Sequence, residues 1–213
     1  MAKIKAGILS KVSGKVAGVV GGTWKGQNYL RELVKPSNPN TALQQAQRGK
    51  MAFTVKLARQ LVGDILNPYL NKFCKTMSGY NWFCRENIKK AGGSPLKLTS
   101  APVLSFGTLG SGSINYSDVT LGSGGVIASL PSVPAGHTLK LIGAIITPDG
   151  DVLGISTINN PSVGDDTIGN VVLQDGAYTA YVVNFFAEYD NNGVLTQISA
   201  SLASAEFTEE VSG

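Results

Sequence analysis

The stretch from Lys5 to Glu32 is glycine-rich, basic and partly apolar, and it restricts the folds open to this chain more than any other part. Glycine destabilises the interior of a helix or strand by about 0.5–1 kcal/mol relative to alanine, which argues against a free-standing element. The apolar residues between the glycines are nevertheless too numerous for a solvated tail. The segment therefore needs a surface to lie against, either its own C-terminal region or a neighbouring subunit. The glycines are Gly7, Gly14, Gly18, Gly21, Gly22 and Gly26.

We interpret residues 1–35 as an assembly arm that becomes ordered by packing into neighbouring subunits. Contacts in an assembly can offset an ordering cost of about 1–2 kcal/mol per residue. Trp24 is the clearest anchor, because flanking glycines leave its indole without local shelter and a buried aromatic often anchors an interface. We expect this indole to contact another chain or the helical segment 41–90. The candidate interface residues are Ile4, Ile8, Val12, Lys15, Val19, Trp24, Lys25, Tyr29 and Arg31.

The charges of the chain divide sharply near residue 100. Residues 1–100 hold 17 of the 18 Lys and Arg residues and three of the 14 acidic residues, whereas residues 101–213 hold Lys140 and 11 acidic residues. The first part therefore suits a polyanion or an acidic protein surface, unless the two parts simply attract each other. Aromatic residues near basic ones (Trp24, Tyr29, Tyr80 and Trp82) can also stack on nucleotide bases. The candidate contacts to nucleic acid or an acidic partner are Lys3, Lys5, Lys11, Arg48 and Lys50.

Residues 36–93 carry the signals of a helical segment. Thr41 with Gln44 forms a capping-box pattern, and Ala46, Phe53, Leu57 and Leu61 recur at helical spacing, so a helix is predicted from Thr41 to near Gly63. Two further helices are predicted over about Ile65–Met77 and Asn81–Lys90.

Residues 94–213 show short β-rich runs separated by turn residues. Pro148-Asp149-Gly150 and the turn at 190–193 each join two such runs into a predicted hairpin. Further strands are predicted over Leu96–Phe106, Val119–Leu121, Val126–Leu130 and Val171–Leu173. The sequence therefore predicts an α+β protein, with the basic arm and the helical segment followed by an all-β immunoglobulin-like sandwich, or alternatively a small barrel.

Sequence motifs for catalysis, metals and cofactors are missing. The glycines fit neither the phosphate-binding loop nor the dinucleotide fingerprint. His137 is the single histidine and we interpret it as a surface or capping residue, while Cys74 and Cys84 are expected to be free thiols. Two cysteines and one histidine cannot complete a structural zinc site without carboxylates, and the acidic clusters fit hairpin turns. We therefore predict that the protein is not an enzyme and takes no metal, cofactor or small-molecule substrate.

The N-terminal residues do not form a secretory signal, since Lys11 and Lys15 interrupt the apolar run. No stretch reaches the roughly 18 apolar residues of a membrane span. We expect synthesis in the host cytoplasm, incorporation into a particle afterwards, and no membrane partner.

Several motifs near the N-terminus carry a family resemblance. Ser13-Gly14-Lys15-Val16, Trp24-Lys25-Gly26 and the pattern Asn38-Pro39, Thr41, Gln45, Arg48 resemble the opening of domain of unknown function family 6266, which occurs in Bacteroidota and their phages. The closely similar part covers roughly the first 60 residues. The resemblance implies no activity and no catalytic residues. The helix opening is also similar to openings in phage head and tail proteins.

These observations predict a non-enzymatic structural protein, a minor virion component that is capsid-associated, portal-proximal or decorating. Its partners would be copies of itself and other virion proteins. The first alternative is a non-specific nucleic-acid-binding protein that uses the basic N-terminal part. The second alternative is an adhesion or carbohydrate-binding module built on the immunoglobulin-like domain.

Overall fold

The structure is a computed structural model of the chain, and it describes residues 2–4, 14–35, 37–110, 112–117, 125–165 and 176–211. The chain divides into two compact units, Met1–Thr41 and Ala42–Gly213. Most of the regular structure is β-strand, arranged in several sheets with two α-helices, so the predicted α+β class is confirmed.

The first unit contains a four-stranded antiparallel sheet with the order β1-β4-β3-β2. The glycines of this segment argue against a free-standing element, and each strand here is paired with at least one neighbouring strand. Glycine weakens a strand by only about 1 kcal/mol, and pairing with strands on both sides of β3 and β4 compensates for this loss. The strands are β1 (Ala2–Ile4), β2 (Gly14–Val16), β3 (Val19–Trp24) and β4 (Gln27–Glu32).

The turn between β3 and β4 needs the glycine that follows the tryptophan. Lys25 and Gly26 both have positive φ, 48° and 76°, which is the geometry of the tight hairpin turns that match strand twist. Without a Cβ atom, Gly26 adopts this conformation at no steric cost. Because Lys25 and Gly26 alone join β3 to β4, the two strands pair without interruption from Val19↔Glu32 to Trp24↔Gln27.

The second unit combines helices with the main sheet. Its helices are α1 (Ala42–Leu61), a π-helix (Val62–Leu70), α2 (Gly79–Asn87) and a 3-10 turn (Ile88–Lys90). Its strands are β5 (Ala91–Gly92), β6 (Lys97–Leu98), β7 (Ser113–Asn115), β8 (Val126–Ser129), β9 (Thr138–Ile146), β10 (Val152–Asn159), β11 (Gly176–Tyr189), β12 (Leu195–Ile198), β13 (Leu202–Ala203) and β14 (Phe207–Val211).

Helix α1 lies where the capping and periodicity signals predict it. Leu57 and Leu61 are buried as predicted, but Ala46 is exposed because the first two turns of the helix are solvent-accessible. The second predicted helix is shorter than expected, since it ends at Leu70 and has π geometry. Pro68 accounts for this difference: it has no N–H to donate and its ring clashes with the carbonyl four residues earlier, which a wider turn relieves.

Helix α2 is the third predicted helix, and it begins two residues earlier than expected. The Ser78 hydroxyl caps it by accepting from the backbone N–H of Asn81 at 3.3 Å. Gly79 lies against the π-helix so closely that a Cβ atom would come within 2.8 Å of the Leu66 carbonyl oxygen. The helix start can therefore carry no side chain at this position.

The main sheet has the order β10-β9-β11-β12, and β13 and β14 also pair with β11. Both predicted hairpins are confirmed, one formed by β9 and β10 and the other by β11 with β12. Residues 180–188 of β11 are all buried, which means that both faces of this strand are covered.

The helices cover one face of the main sheet. Tyr69 of the π-helix contacts Phe185 edge to face, with ring centroids 5.4 Å apart. Apolar residues of α1, the π-helix and α2 share one core with alternate residues of β9 and β11. Residues 36–93 and 94–213 are predicted as separate segments, whereas the helices bury their apolar side against the sheet.

The predicted immunoglobulin-like sandwich is not confirmed and stays a prediction. In the described part of the chain, helices occupy one face of the main sheet, and the β7–β8 hairpin with adjacent loops packs on the other. Of the remaining predicted strands, Val126–Leu130 corresponds to β8, and Leu96–Phe106 is a strand only at β6. Residues 119–121 and 171–173 lie outside the described residues.

Asn87 fastens the end of α2 to the segment that leads into the β-rich part. Its side-chain amide donates to the carbonyls of Phe83 at 3.0 Å and Val103 at 2.9 Å, and its amide oxygen accepts from the Val103 N–H at 2.7 Å. The side chain is fully buried. Both backbone groups of Val103 depend on this side chain for their hydrogen bonds to the helix.

Replacing Asn87 with alanine should therefore lower the free energy of unfolding by about 2–4 kcal/mol, since a buried unsatisfied backbone group costs roughly 1–3 kcal/mol. Urea unfolding followed by circular dichroism measures this difference. Asn81→Ala is the matched control, because Asn81 is exposed on the same helix. Equal stability of the two variants would contradict the proposed role of Asn87.

Candidate interaction surface

The register of β2, β3 and β4 decides which residues of the first unit share a face. Side chains alternate between the two faces of a strand, and directly paired residues of antiparallel strands lie on the same face. Lys15 pairs with Val20, Val20 with Arg31, Gly22 with Tyr29, and Trp24 with Gln27. These pairs define the basic-aromatic face: Lys15, Val20, Gly22, Trp24, Gln27, Tyr29 and Arg31.

All formal charges on the basic-aromatic face are positive. Lys15 and Arg31 lie in one row across the sheet, on either side of Val20, and both are exposed. Lys25 adds a third cation at the turn beside Trp24, with its ammonium 5.8 Å from the centre of the indole. Glu32 is the single acidic residue in positions 1–41, and it pairs with Val19 on the opposite face.

The two aromatic rings of this face have different surroundings. The Tyr29 ring lies over Gly22, since a Cβ atom on that glycine would come within 3.0 Å of Cζ and Oη of the tyrosine. The missing side chain thus lets the ring lie along the sheet. The indole of Trp24 is 70% exposed. The exposed indole lies beside the ammonium of Lys25, so this face combines an accessible aromatic surface with positive charge.

The opposite face carries Val19, Gly21, Thr23, Asn28, Leu30 and Glu32. Val19 is 40% exposed, Leu30 is partly buried, and the Thr23 hydroxyl donates to Oδ1 of Asn28 at 2.7 Å. Apart from Glu32 at one end, this face offers apolar and neutral groups. The two faces therefore suit different partners.

The structure separates the predicted interface residues into groups. Lys15, Trp24, Tyr29 and Arg31 share the basic-aromatic face with Lys25 at its edge, whereas Val19 lies on the other side of the sheet. Ile4 and Lys3 belong to β1, where Lys3 is paired with Tyr29 and Ile4 with Asn28 of β4. Lys5, Ile8, Lys11 and Val12 lie outside the described residues.

The remaining predicted contacts belong to the second unit. Arg48 and Lys50 are residues of α1. Tyr80 and Trp82, considered for base stacking, belong to α2, where Trp82 is buried with its ring 4.5 Å from that of Phe106. Tyr80 packs partly buried against the same core. These two aromatics therefore stabilise the core, and base stacking is available only to Trp24 and Tyr29 among the four.

His137 has a structural partner that the sequence does not reveal. Its Nδ1 lies 2.5 Å from Oε1 of Glu188, a carboxylate whose side chain is only 2% exposed. The other oxygen of Glu188 has no hydrogen-bond partner among the described residues. Glu188 is the last buried residue of β11, a position where the apolar sequence of the strand gives no reason to expect an acidic residue. The interpretation of His137 as a surface or capping residue misses this ion pair.

The acidic turn at Asp190 is a structural turn, as expected. Its carboxylate accepts from the backbone N–H groups of Asn192 and Val194, both at 2.8 Å. The hydrogen bond from Val194 is the main cause that lowers the pKa of the Asp190 carboxyl, and the positive charges of His137 and Lys72 contribute less. The arrangement holds the hairpin tip.

Other chemical sites are sparse in the described part of the chain. Cys74 and Cys84 are free thiols, as expected, and burial raises the pKa of both. Across the described ranges, no three His, Cys, Asp or Glu side chains are grouped closely enough to hold a metal ion. No described helix combines the length and apolar character that crossing a bilayer requires.

The fold and surface thus define a two-unit α+β protein whose small N-terminal sheet presents a basic and aromatic face. The model of a family of unknown function (DUF6266) matches residues 11–96, which include β2–β4 and both α-helices. This match supports the resemblance drawn from the N-terminal motifs. No curated protein and no solved structure matches the chain.

Removing the histidine partner of Glu188 should destabilise the second unit. His137→Ala leaves the buried Glu188 carboxyl without its hydrogen-bond partner, so we expect the free energy of unfolding to fall by about 1–3 kcal/mol. Replacing both residues with leucine removes the buried polar group as well and should cost much less. Thermal and urea unfolding of the single and double variants measures the difference. A His137→Ala variant of wild-type stability would show that the ion pair contributes nothing.

Proposed function

We propose that the protein is a non-enzymatic structural protein that joins a larger assembly, a virion, through its N-terminal unit. Its partners are copies of itself and other structural proteins of the particle. The observation that carries this proposal is the lack of burial in the small sheet. Among the residues between positions 14 and 35 whose burial the structure describes, only Gly21 is buried.

A sheet without a core of its own needs a partner surface. Independent stability of a few strands requires a covered hydrophobic face, and the exposed apolar residues here include Val19 and, just after β4, Val34. Their exposure favours docking on another protein, because apolar area gains about 25 cal/mol per Å² when it leaves water. The opposite face, with Val19 and Leu30, is the part of the sheet that suits a protein neighbour.

The charge distribution supports an oriented position in the particle. The basic residues concentrate in the part of the chain that contains the sheet and α1, and the acidic residues concentrate in the β-rich part. Opposite potentials on two regions of one subunit favour ordered contacts between copies and disfavour contacts between like regions. The motif resemblance to a family found in Bacteroidota and their phages supports a virion as the assembly.

Val19→Lys tests whether the opposite face is an assembly surface. Lysine here faces Glu32 across the strands, so the sheet should persist while the apolar contact is lost. We expect self-association to weaken roughly ten- to 100-fold, because burying a valine or leucine side chain contributes about 1.5–3 kcal/mol. Sedimentation velocity across a concentration series measures this change, and mass spectrometry of purified particles measures incorporation.

Val194→Lys is the matched control for this experiment. Val194 is 49% exposed, close to Val19, but it lies at the β11–β12 hairpin tip in the second unit. The Val194→Lys variant should self-associate, and be incorporated into particles, to the same extent as the wild-type protein. A chain that is monomeric at every concentration and missing from particles would rule out the assembly function.

A further inference from the structure

We propose that the basic-aromatic face of the N-terminal sheet binds single-stranded nucleic acid. Trp24 and Tyr29 stack on unpaired bases, while Lys15, Lys25 and Arg31 contact the phosphates. This adds a ligand to the proposed assembly function, and it uses the other face of the sheet. Three observations support this ligand: the sign of the charges, the positions of the two rings and the exposure of Trp24.

The charges select a polyanion. The basic-aromatic face carries Lys15 and Arg31 with Lys25 at its edge, and the single acidic residue of this unit is on the opposite side. Uniform positive charge on one side of a thin sheet attracts a phosphate backbone and adds little specificity for sequence. Arg31 can in addition bond a phosphate in bidentate geometry.

The two aromatic rings of this face lie on adjacent strands, at positions diagonal to each other. Trp24 of β3 and Tyr29 of β4 are diagonal neighbours, because Trp24 pairs with Gln27 and Tyr29 pairs with Gly22. Diagonal positions on neighbouring strands are about 7–8 Å apart. Many sheets that bind single strands place aromatic side chains on neighbouring strands in this way, so that successive bases stack on successive rings.

Exposure makes the rings available to a ligand. The Trp24 indole is 70% exposed, and its neighbour Lys25 lies near the 6 Å limit of a cation–π contact, so little is displaced when a base arrives. The ring of Tyr29 rests on the Gly22 backbone on one side. This support holds the ring along the sheet, and Tyr29 is partly exposed, so stacking is assigned to the side of the ring away from Gly22.

The aromatic pair favours single strands over duplexes. Stacking needs an unpaired base, since the bases of a duplex already stack on each other. A duplex can use only the lysine and arginine contacts on this face. The preference for a single strand is therefore the measurable consequence of Trp24 and Tyr29.

Fluorescence anisotropy with the full chain and a labelled 20-nucleotide oligo-dT measures the affinity, and a duplex of the same length is the comparison. Trp24→Ala and Tyr29→Ala should each weaken oligo-dT binding by roughly 5- to 150-fold, the loss that follows removal of one base–aromatic stack. Trp24→Phe and Tyr29→Phe keep a ring and should retain most of the affinity. Binding of the duplex should change little in all four variants.

The intrinsic fluorescence of the protein provides a second measurement. The chain has two tryptophans, of which Trp24 is exposed and Trp82 is 8% exposed. Stacking of a base on Trp24 should quench its emission on addition of oligo-dT, and Trp24→Phe should abolish that quenching. Quenching that follows protein concentration without oligonucleotide would instead show that this face contacts a second copy, and would overturn the proposal.

The salt dependence tests the phosphate contacts. For a single strand, the slope of log K against log salt concentration falls by about 0.7 for each phosphate contact removed. Lys15→Gln and Arg31→Gln should each reduce the slope by about this amount. Lys35→Gln removes the same charge from an exposed position outside the sheet and should leave the slope nearly unchanged.

Two results would overturn the inference. One is undetectable oligo-dT binding at low salt by the full chain. The other is equal affinity for oligo-dT and duplex with no loss in Trp24→Ala, which would reduce the interaction to non-specific charge. Neither result affects the assembly function, because the Val19→Lys experiment probes the opposite face.

Discussion

The structure of the second unit depends on the burial of both faces of strand β11. Residues 180–188 lie between the helices on one side and the β7–β8 hairpin with its loops on the other. The same strand pairs with β9, β12, β13 and β14. Its phenylalanines, Phe185 and Phe186, point to opposite sides and anchor two different clusters. Burial of these aromatics, about 150–250 Å² each, holds helices, hairpins and loops to one strand.

Burial of this strand also explains the ion pair at its end. Glu188 is held within the sheet by its register with Leu139 of β9, so its carboxylate leaves water when the strand pairs. A buried charge is costly unless it is paired, and His137 from the turn before β9 provides the partner. The pair thus follows from strand pairing.

The sheet of the first unit differs from β11 because most of its side chains are exposed. Alternation on β3 and β4 sorts cations and aromatic rings to one face, and Val19, Leu30 and Glu32 to the other. One thin sheet can therefore contact two partners of different chemistry at once. In a particle, that arrangement suits a subunit with protein on one side and nucleic acid on the other.

The sequence by itself determined the features that depend on neighbouring residues: the start of α1, the two hairpins of the main sheet and the separation of charge. Capping, periodicity and turn residues act over a few positions, so they can be recognised without tertiary contacts. Tertiary structure alone decided that Glu188 is buried beside His137 and that the glycine-rich segment forms strands. Register and burial depend on partners distant in sequence, and a one-residue shift between β3 and β4 would change which side chains share a face with Trp24.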